Sequence, residues 1–436
     1  MKFVKSVLFS LLTLIACNPE DELTPIIGSV YLDNLLEPDT IKVLSVSVDT
    51  SWQTDHSDNW IFVNDMKGKM LGSQQFESGE NFDIKGFIKS RPSVVCVSVL
   101  EVNNASAMTV FDLQSYTGIQ RGSNWHITRL IENKRKPAGP IRITINNSPV
   151  PGYNHYQVSD DFGGQYFDMN YSSGVTTIDY TLFEWVYKIG ITVSTQSNEI
   201  RYLEIENPSL FDDFDFNYND FGYLNHQAVI TLVPNSLVFS AIRGLRDLKY
   251  NKKIHQKGLA LAEVNKPGGS DKIYLGYNGG FPFYYTELSL NTEEYQYHYE
   301  KLGQSPDFGK ISVPELTVNI VDDGFSTFAI SGAEDYDHLR TDWYLPEMPD
   351  QQEFKWKIHC AVDNYPALLE LPAEIKSEYL NLEFDHDQLV LNSVKVIKNI
   401  DRYSYAEMIG ELIKNNQEDY RAHEYEFFII PGSQDP

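Results

Sequence analysis

Apolar and polar residues alternate with period two along much of the chain. Val46-Ser47-Val48, Ile141-Arg142-Ile143-Thr144-Ile145, Ile189-Gly190-Ile191-Thr192-Val193 and Leu316-Thr317-Val318-Asn319-Ile320 all follow this rule. Successive side chains of a strand point to opposite faces, so each run predicts a half-buried strand. The clearest is Phe354 to Cys360, which sets Phe354, Trp356, Ile358 and Cys360 on one face and Lys355, Lys357 and His359 on the other. Between the runs stand Lys67-Gly68, Asn146-Asn147, Gly163-Gly164, Asn278-Gly279-Gly280 and Asp322-Asp323-Gly324, residues that tolerate the positive φ of tight turns. Short strands joined by such turns predict packed antiparallel sheets. One amphipathic helix breaks the pattern. Ser404 and Glu407 form a capping box, and Tyr405, Met408, Ile409, Leu412 and Ile413 mark a buried stripe over about Tyr405 to Lys414. A shorter helical turn is predicted to start at Pro372.

The expected fold class is mainly β, as several antiparallel β-sandwich domains with one C-terminal amphipathic helix. At 436 residues the chain is long enough for about three domains. Lys134-Arg135-Lys136-Pro137-Ala138-Gly139-Pro140 combines charge, Pro and Gly like a linker, and a second cut falls near Tyr223, after the polar and aromatic stretch 211–221. The expected bodies are residues 28–136, 137–224 and 225–436. By strand number and size, the first resembles the immunoglobulin-like or transthyretin-like sandwiches of Bacteroidota surface lipoproteins.

Residues 1–16 have a basic start, Lys2 and Lys5, and an apolar run from Val7 to Ala16. This is a signal-peptide layout, and the run is about half the length needed to span a bilayer. It ends in Leu14-Ile15-Ala16-Cys17, which resembles the bacterial lipobox. That resemblance implies cleavage before Cys17, lipid on its sulfur, and stable membrane attachment once two or more acyl chains are present. Residues 17–27 would then be a tether. Its acidic cluster Asn18-Pro19-Glu20-Asp21-Glu22 resembles the surface-export tag of Bacteroidota lipoproteins, and Asp39-Thr40-Ile41 resembles their O-glycosylation site, with Thr40 as acceptor. Outer-membrane attachment, facing the cell surface, is the expected location.

The formal charge is −26, and −28 once Lys2 and Lys5 leave with the signal. Phosphate backbones would be repelled, so nucleic acid is not an expected partner. Besides Cys17 there are Cys96 and Cys360, both in apolar strand patterns. They are read as buried thiols, with a long-range disulfide as the alternative. No zinc spacing occurs, and no cofactor is expected.

No GxSxG, HExxH, Walker loop or strand-linked GxGxxG is present. Four other patterns remain. Asp213, Asp215 and Asn217 place oxygens at every second residue, as a hard cation requires, but Tyr218 and Leu224 occupy the EF-hand Gly and Glu positions. Solvated loop is the preferred reading there, and exposed turn for Asp385-His386-Asp387. Tyr295, Tyr297 and Tyr299 share one strand face opposite Gln296, His298 and Glu300; that face is either core or a platform for stacking sugar rings. Arg243, Arg246, Lys249, Lys252, Lys253 and Lys257 form a basic island suited to an anionic polysaccharide or an acidic partner, with a solvated face as the plain reading. The expected function is that of a noncatalytic, surface-exposed lipoprotein acting in binding or outer-membrane assembly, with the membrane as partner through Cys17 and a glycan or outer-membrane protein as further partner. The alternatives are a glycan-binding accessory lipoprotein of an uptake system, resembling the starch-utilisation lipoproteins in layout, and a secreted hydrolase built from distant acidic residues.

Overall fold

The structure is a computed structural model. It describes residues 40–432 apart from 53–56, 88–92, 105–107, 129–135, 150–155, 162, 164–166, 185, 195–199, 235, 247–257, 267–271, 307–312, 347, 349–350, 380–381, 402–403 and 415–422. Cys17, the lipobox, the tether and Asp39 lie outside the described residues. Two compact units are present, one of residues 42–85 and 92–436, the other of 1–41 and 86–91. The first contains everything discussed below except the ends of two strands.

The alternation in the sequence becomes a mainly β fold, with 60% of the described residues in strands and 7% helical. Its frame is a 12-stranded sheet. Along the sheet the order is β18 (Leu259–Lys266), β17 (Leu237–Leu245), β20 (Phe283–Asn291), β21 (Gln296–Gly303), β27 (His423–Pro431), β26 (Val390–Asn399), β24 (His338–Tyr344), β25 (Gln352–Ala361), β6 (Thr109–Gln120), β5 (Val94–Asn103), β2 (Ser57–Asn64) and β3 (Met70–Gln75). One face is the main apolar core, where Phe62, Leu100, Leu113, Trp343, Phe354, Trp356, Tyr297, Tyr299 and Phe428 come together. Phe354, Trp356, Ile358 and Cys360 lie on this face, as their spacing predicts.

The other face divides in two. Over β6, β5, β2 and β3 lies a three-stranded sheet of β4 (Asn81–Phe87), β1 (Thr40–Val48) and β7 (Asn124–Ile127), with the Tyr116 and Trp125 rings 5.4 Å apart. Ile61 and Val63, on the reverse of β2 from Phe62, are therefore also fully buried. Residues 40–127 thus supply both layers of a sandwich, but its larger layer does not close on itself. β6 pairs in parallel with β25, Gln352 opposite Thr109 through His359 opposite Tyr116, so the expected boundary at residue 136 does not interrupt the sheet. Of the remaining strands, β20, β21, β27, β26, β24 and β25 carry a half-buried polar reverse face, whereas 240–245 of β17 and 259–262 of β18 are buried on both sides.

Residues 137–223 build their own two sheets around one core. The first is β10 (Phe167–Ser172), β11 (Val175–Phe183), β8 (Pro137–Asn146) and β14 (Asp213–Asn217); the second is β15 (Gly222–Tyr223), β13 (Ile200–Glu206), β12 (Lys188–Ser194) and β9 (Tyr156–Asp160). Pro137 to Pro140, expected as linker, is instead the start of β8, where it pairs with the end of β11. The pairing register shifts between Leu182 and Phe183, an irregularity of the kind at which strand prolines are tolerated. The ladders β16 (His226–Thr231) with β19 (Lys272–Tyr277) and β22 (Asn319–Asp322) with β23 (Ala329–Ser331) complete the strands.

The turn at Gly68 requires glycine. Its φ is +86°, and a Cβ there would lie 1.7 Å from the Leu368 carbonyl oxygen. That close approach lets the Gly68 carbonyl accept both the Glu370 N–H at 2.9 Å and Asn64 Nδ2 at 2.8 Å, tying the turn to residues 300 positions away. Two α-helices are described. α1 (Ala373–Glu378) follows Pro372, and α2 (Tyr405–Lys414) starts at the predicted box, where Ser404 N–H donates to Glu407 Oε2 at 2.8 Å. α2 buries Tyr405, Ile409 and Ile413 against β6, β7 and β25. Leu412 stays on the rim, 41% exposed.

Candidate functional site

Two of the expected sites take their plainer reading once folded, the tyrosine row as core and Asp385-His386-Asp387 as an exposed turn. The tyrosine row is core. Tyr297 and Tyr299 are each 1% exposed, and Tyr295 packs edge-on against Phe428. β21 is a central strand whose tyrosine face is covered, and half-buried Glu426 and buried Glu424 accept the two hydroxyls. They therefore offer no platform for sugar stacking. Of the basic island only Arg243 and Arg246 are described. Arg243 is 8% exposed within β17, while Arg246 is ion-paired to Asp161 at 3.1 Å and lies over the Tyr187 ring. Lys249, Lys252, Lys253 and Lys257 lie outside the described residues.

Asp213, Asp215 and Asn217 fall on one side of β14, not in a loop, because Phe214 and Phe216 between them pack on the sandwich core. Asp215 accepts from Asn146 Nδ2 at 2.5 Å, and Asn217 caps a following 3₁₀ turn. Asp385 likewise caps a 3₁₀ turn over His386–Gln388. Among the described residues no group of three or more His, Cys, Asp or Glu side chains is placed to hold a metal. Thr40 is the first residue of β1.

Cys96 and Cys360 are both free and fully buried. They flank β6, so they stand two strand spacings apart, roughly 9–10 Å, beyond the reach of a disulfide. Burial pushes the Cys96 thiol up to about 12, and Cys360 upward for the same reason.

The chemistry sits on the polar face instead. At its margin, where β7 and α2 lie beside β5 and β6, is a cleft of about 240 Å³. The rings of Trp52, Tyr116 and Trp125 line it together with Glu101, Asp112, Gln114, His126 and Leu412. Asp112, Gln114 and Tyr116 share this face because they alternate along β6 with the core residues Phe111, Leu113 and Ser115. Glu101 and Asp112 stand directly opposite one another on β5 and β6. A like-charged cross-strand pair opposes folding, and Lys357 Nζ relieves it by contacting both Asp112 oxygens at 3.2 and 3.3 Å. Tyr116 donates to Gln114 at 2.9 Å and stacks on His359 at 4.7 Å. A second depression, about 490 Å³ over β1, β4 and β7, is lined by Ser, Asn and Asp with Val46 and a single ring, Phe82.

From the cleft the polar face continues across the sheet. His359 Nδ1 lies 3.2 Å from His338 Nε2; burial drives both imidazoles toward the neutral form, His338 down to about 3. Further along, Glu300 accepts from His423 Nε2 and Tyr425 hydroxyl at 2.7 Å and from Tyr285 hydroxyl at 2.9 Å, with His298 Nε2 at 3.4 Å. Burial alone would raise this carboxyl, but donation from His298, His423 and Tyr425 outweighs it and holds the group well below the usual carboxylate range. Such a group is a fixed anion and is poorly suited to act as a general acid. Between these two clusters Lys395 Nζ lies over the Phe427 ring, 3.3 Å from its centre.

Apart from Leu412, part of the predicted helix stripe, the sequence singled out none of the cleft residues. They come from five separate segments, and the local signal was the alternation of residues 111–116. Comparison with models of known protein families and with curated protein sequences gives no match.

Proposed function

We propose that the protein is a noncatalytic lipoprotein, held at the outer membrane through Cys17 and facing the cell surface, whose cleft binds a saccharide. The reading rests on one observation: the Trp52, Tyr116 and Trp125 rings border the same cleft as the planar hydrogen-bonding groups of Glu101, Asp112 and Gln114. Aromatic faces match the apolar face of a pyranose, and carboxylate and amide groups match its hydroxyls. The acidic body and the lipobox-like start agree with an exported, membrane-tethered role.

Titration of the soluble body with a panel of oligosaccharides tests the binding. Trp52→Ala should weaken any saccharide bound by about tenfold, near the upper end of one aromatic contact. A panel without a binder, or a Trp52→Ala variant with undiminished affinity, overturns the reading. For the anchor, Cys17→Ser should leave the protein unlipidated, as mass spectrometry of the amino terminus reports; an unmodified terminus in the native protein rejects attachment.

The facing carboxylates of Glu101 and Asp112 favour a second reading, a glycoside hydrolase. Against it, Asp112 is one-third exposed and ion-paired, whereas a general acid needs a carboxyl shielded from water and cations. Turnover of aryl glycosides that disappears in Glu101→Gln would establish the hydrolase in place of the binding protein.

A further inference from the structure

The polar face holds a second like-charged cross-strand pair, of opposite sign. Arg340 of β24 stands directly opposite Lys395 of β26. Their compensation is incomplete. Arg340 Nη2 bonds Asp342 Oδ2 at 2.7 Å, but its Nε is buried with no acceptor. Among the described residues no carboxylate or other acceptor bonds Lys395 Nζ, which lies over the Phe427 ring. Asp342 and Glu300 are the nearby carboxylates that act on it. Placing two cations opposite each other in a half-buried site opposes folding twice, through repulsion and through lost hydration. In a chain of net charge −26, carboxylates to neutralise them were abundant.

The row has a direction. Tyr116, which lines the cleft, is in register with His359, His359 with Arg340, and Arg340 with Lys395. These are four neighbouring strands, so Tyr116 and Lys395 stand roughly 14 Å apart on one face, a distance that a short oligosaccharide covers.

We infer that Arg340 and Lys395 form an oxyanion subsite, so that the saccharide taken by the cleft carries carboxylate or sulfate groups. This rests on the saccharide reading of the cleft, and it adds the ligand's charge. The guanidinium and the ammonium supply two charged donors to one anion. The same groups would hold a uronate or a sulfate ester, and the choice between them belongs to the experiment.

Calorimetric titration with digalacturonate, a sulfated chondroitin disaccharide and cellobiose compares the three chemistries. At least one acidic disaccharide should bind about tenfold or more tightly than cellobiose, and Lys395→Gln and Arg340→Gln should each remove most of that margin. Lys395→Gln should also melt no lower than the parent, since it removes a repulsion; a residue serving structure alone would lower the midpoint. The inference is overturned if cellobiose binds as well as both acidic sugars, or if the margin survives in both variants. Should no disaccharide bind, the saccharide reading fails by itself, and the subsite is then judged by NMR of ¹³C-methylated lysines. Movement of the Lys395 signal on adding sodium sulfate or sodium acetate, absent in Arg340→Gln, supports the anion site; an unmoved signal rejects it.

Discussion

Replacing Glu300 by Gln tests whether the central polar face is held together by charge-assisted bonds. The Glu300 side chain is 16% exposed and gathers His423, Tyr425, Tyr285 and His298 from three strands. Glutamine keeps the shape but removes the charge and turns one acceptor into a donor facing hydroxyls and ring nitrogens. Loss of one partner from a buried charged network costs about 3–5 kcal/mol. Unfolding entropy scales at about 2.1 cal/mol/K per residue, so for 436 residues this lowers the midpoint by about 3–5 °C at pH 7. The pH dependence has a definite sign. The folded carboxyl lies below its usual value of 4.5, so its contribution is complete above that pH and fades as acid approaches the folded value. The gap between the parent and Glu300→Gln should therefore be widest at neutral pH and narrow steadily below about pH 4.5. Differential scanning calorimetry from pH 3 to 8 measures it. A variant melting within about 1 °C of the parent at pH 7, or a gap that widens in acid, would refute the account.

Further outcomes follow from the core. Tyr297→Ala should destabilise the protein by about 3–5 kcal/mol in urea titrations, as for other large buried aromatics, while saccharide affinity stays within twofold, because this ring faces away from the cleft. A surface role for Tyr297 would give the reverse pattern. Ellman's reagent should react with neither Cys96 nor Cys360 until the protein is unfolded, and then with both; one rapidly reacting thiol, or none after denaturation, would contradict two buried free cysteines.

Strand content and the α2 cap were legible because both are local. Alternation at Phe354 to Cys360 named the right face, and Ser404 with Glu407 marked the helix start to the residue. At residues 295–300 the alternation was equally plain, but which side met water was not. Both sides carry aromatic and hydrogen-bonding groups, and only the cover packed over Tyr297 and Tyr299 decides. The linker reading of residues 134–140 followed composition, yet pairing with β11 made residues 137–140 strand. The cleft was hidden for a different reason. Trp52, Glu101, Asp112 and Trp125 meet through sheet packing, and the β6–β25 register that brings Lys357 to Asp112 joins segments about 240 residues apart, with no local signal.

The position of β27 has a consequence for biogenesis. The last of the described strands, β27, lies between β21 and β26, in the interior of the large sheet. Two half-sheets would wait with open edges, each a template for foreign strands, until residues 423–431 arrive to join them. Closure of so non-local a topology is slow. Truncation before residue 423 should therefore yield aggregates in place of a smaller soluble domain, and the unfinished polypeptide would depend on chaperones until that strand is in place.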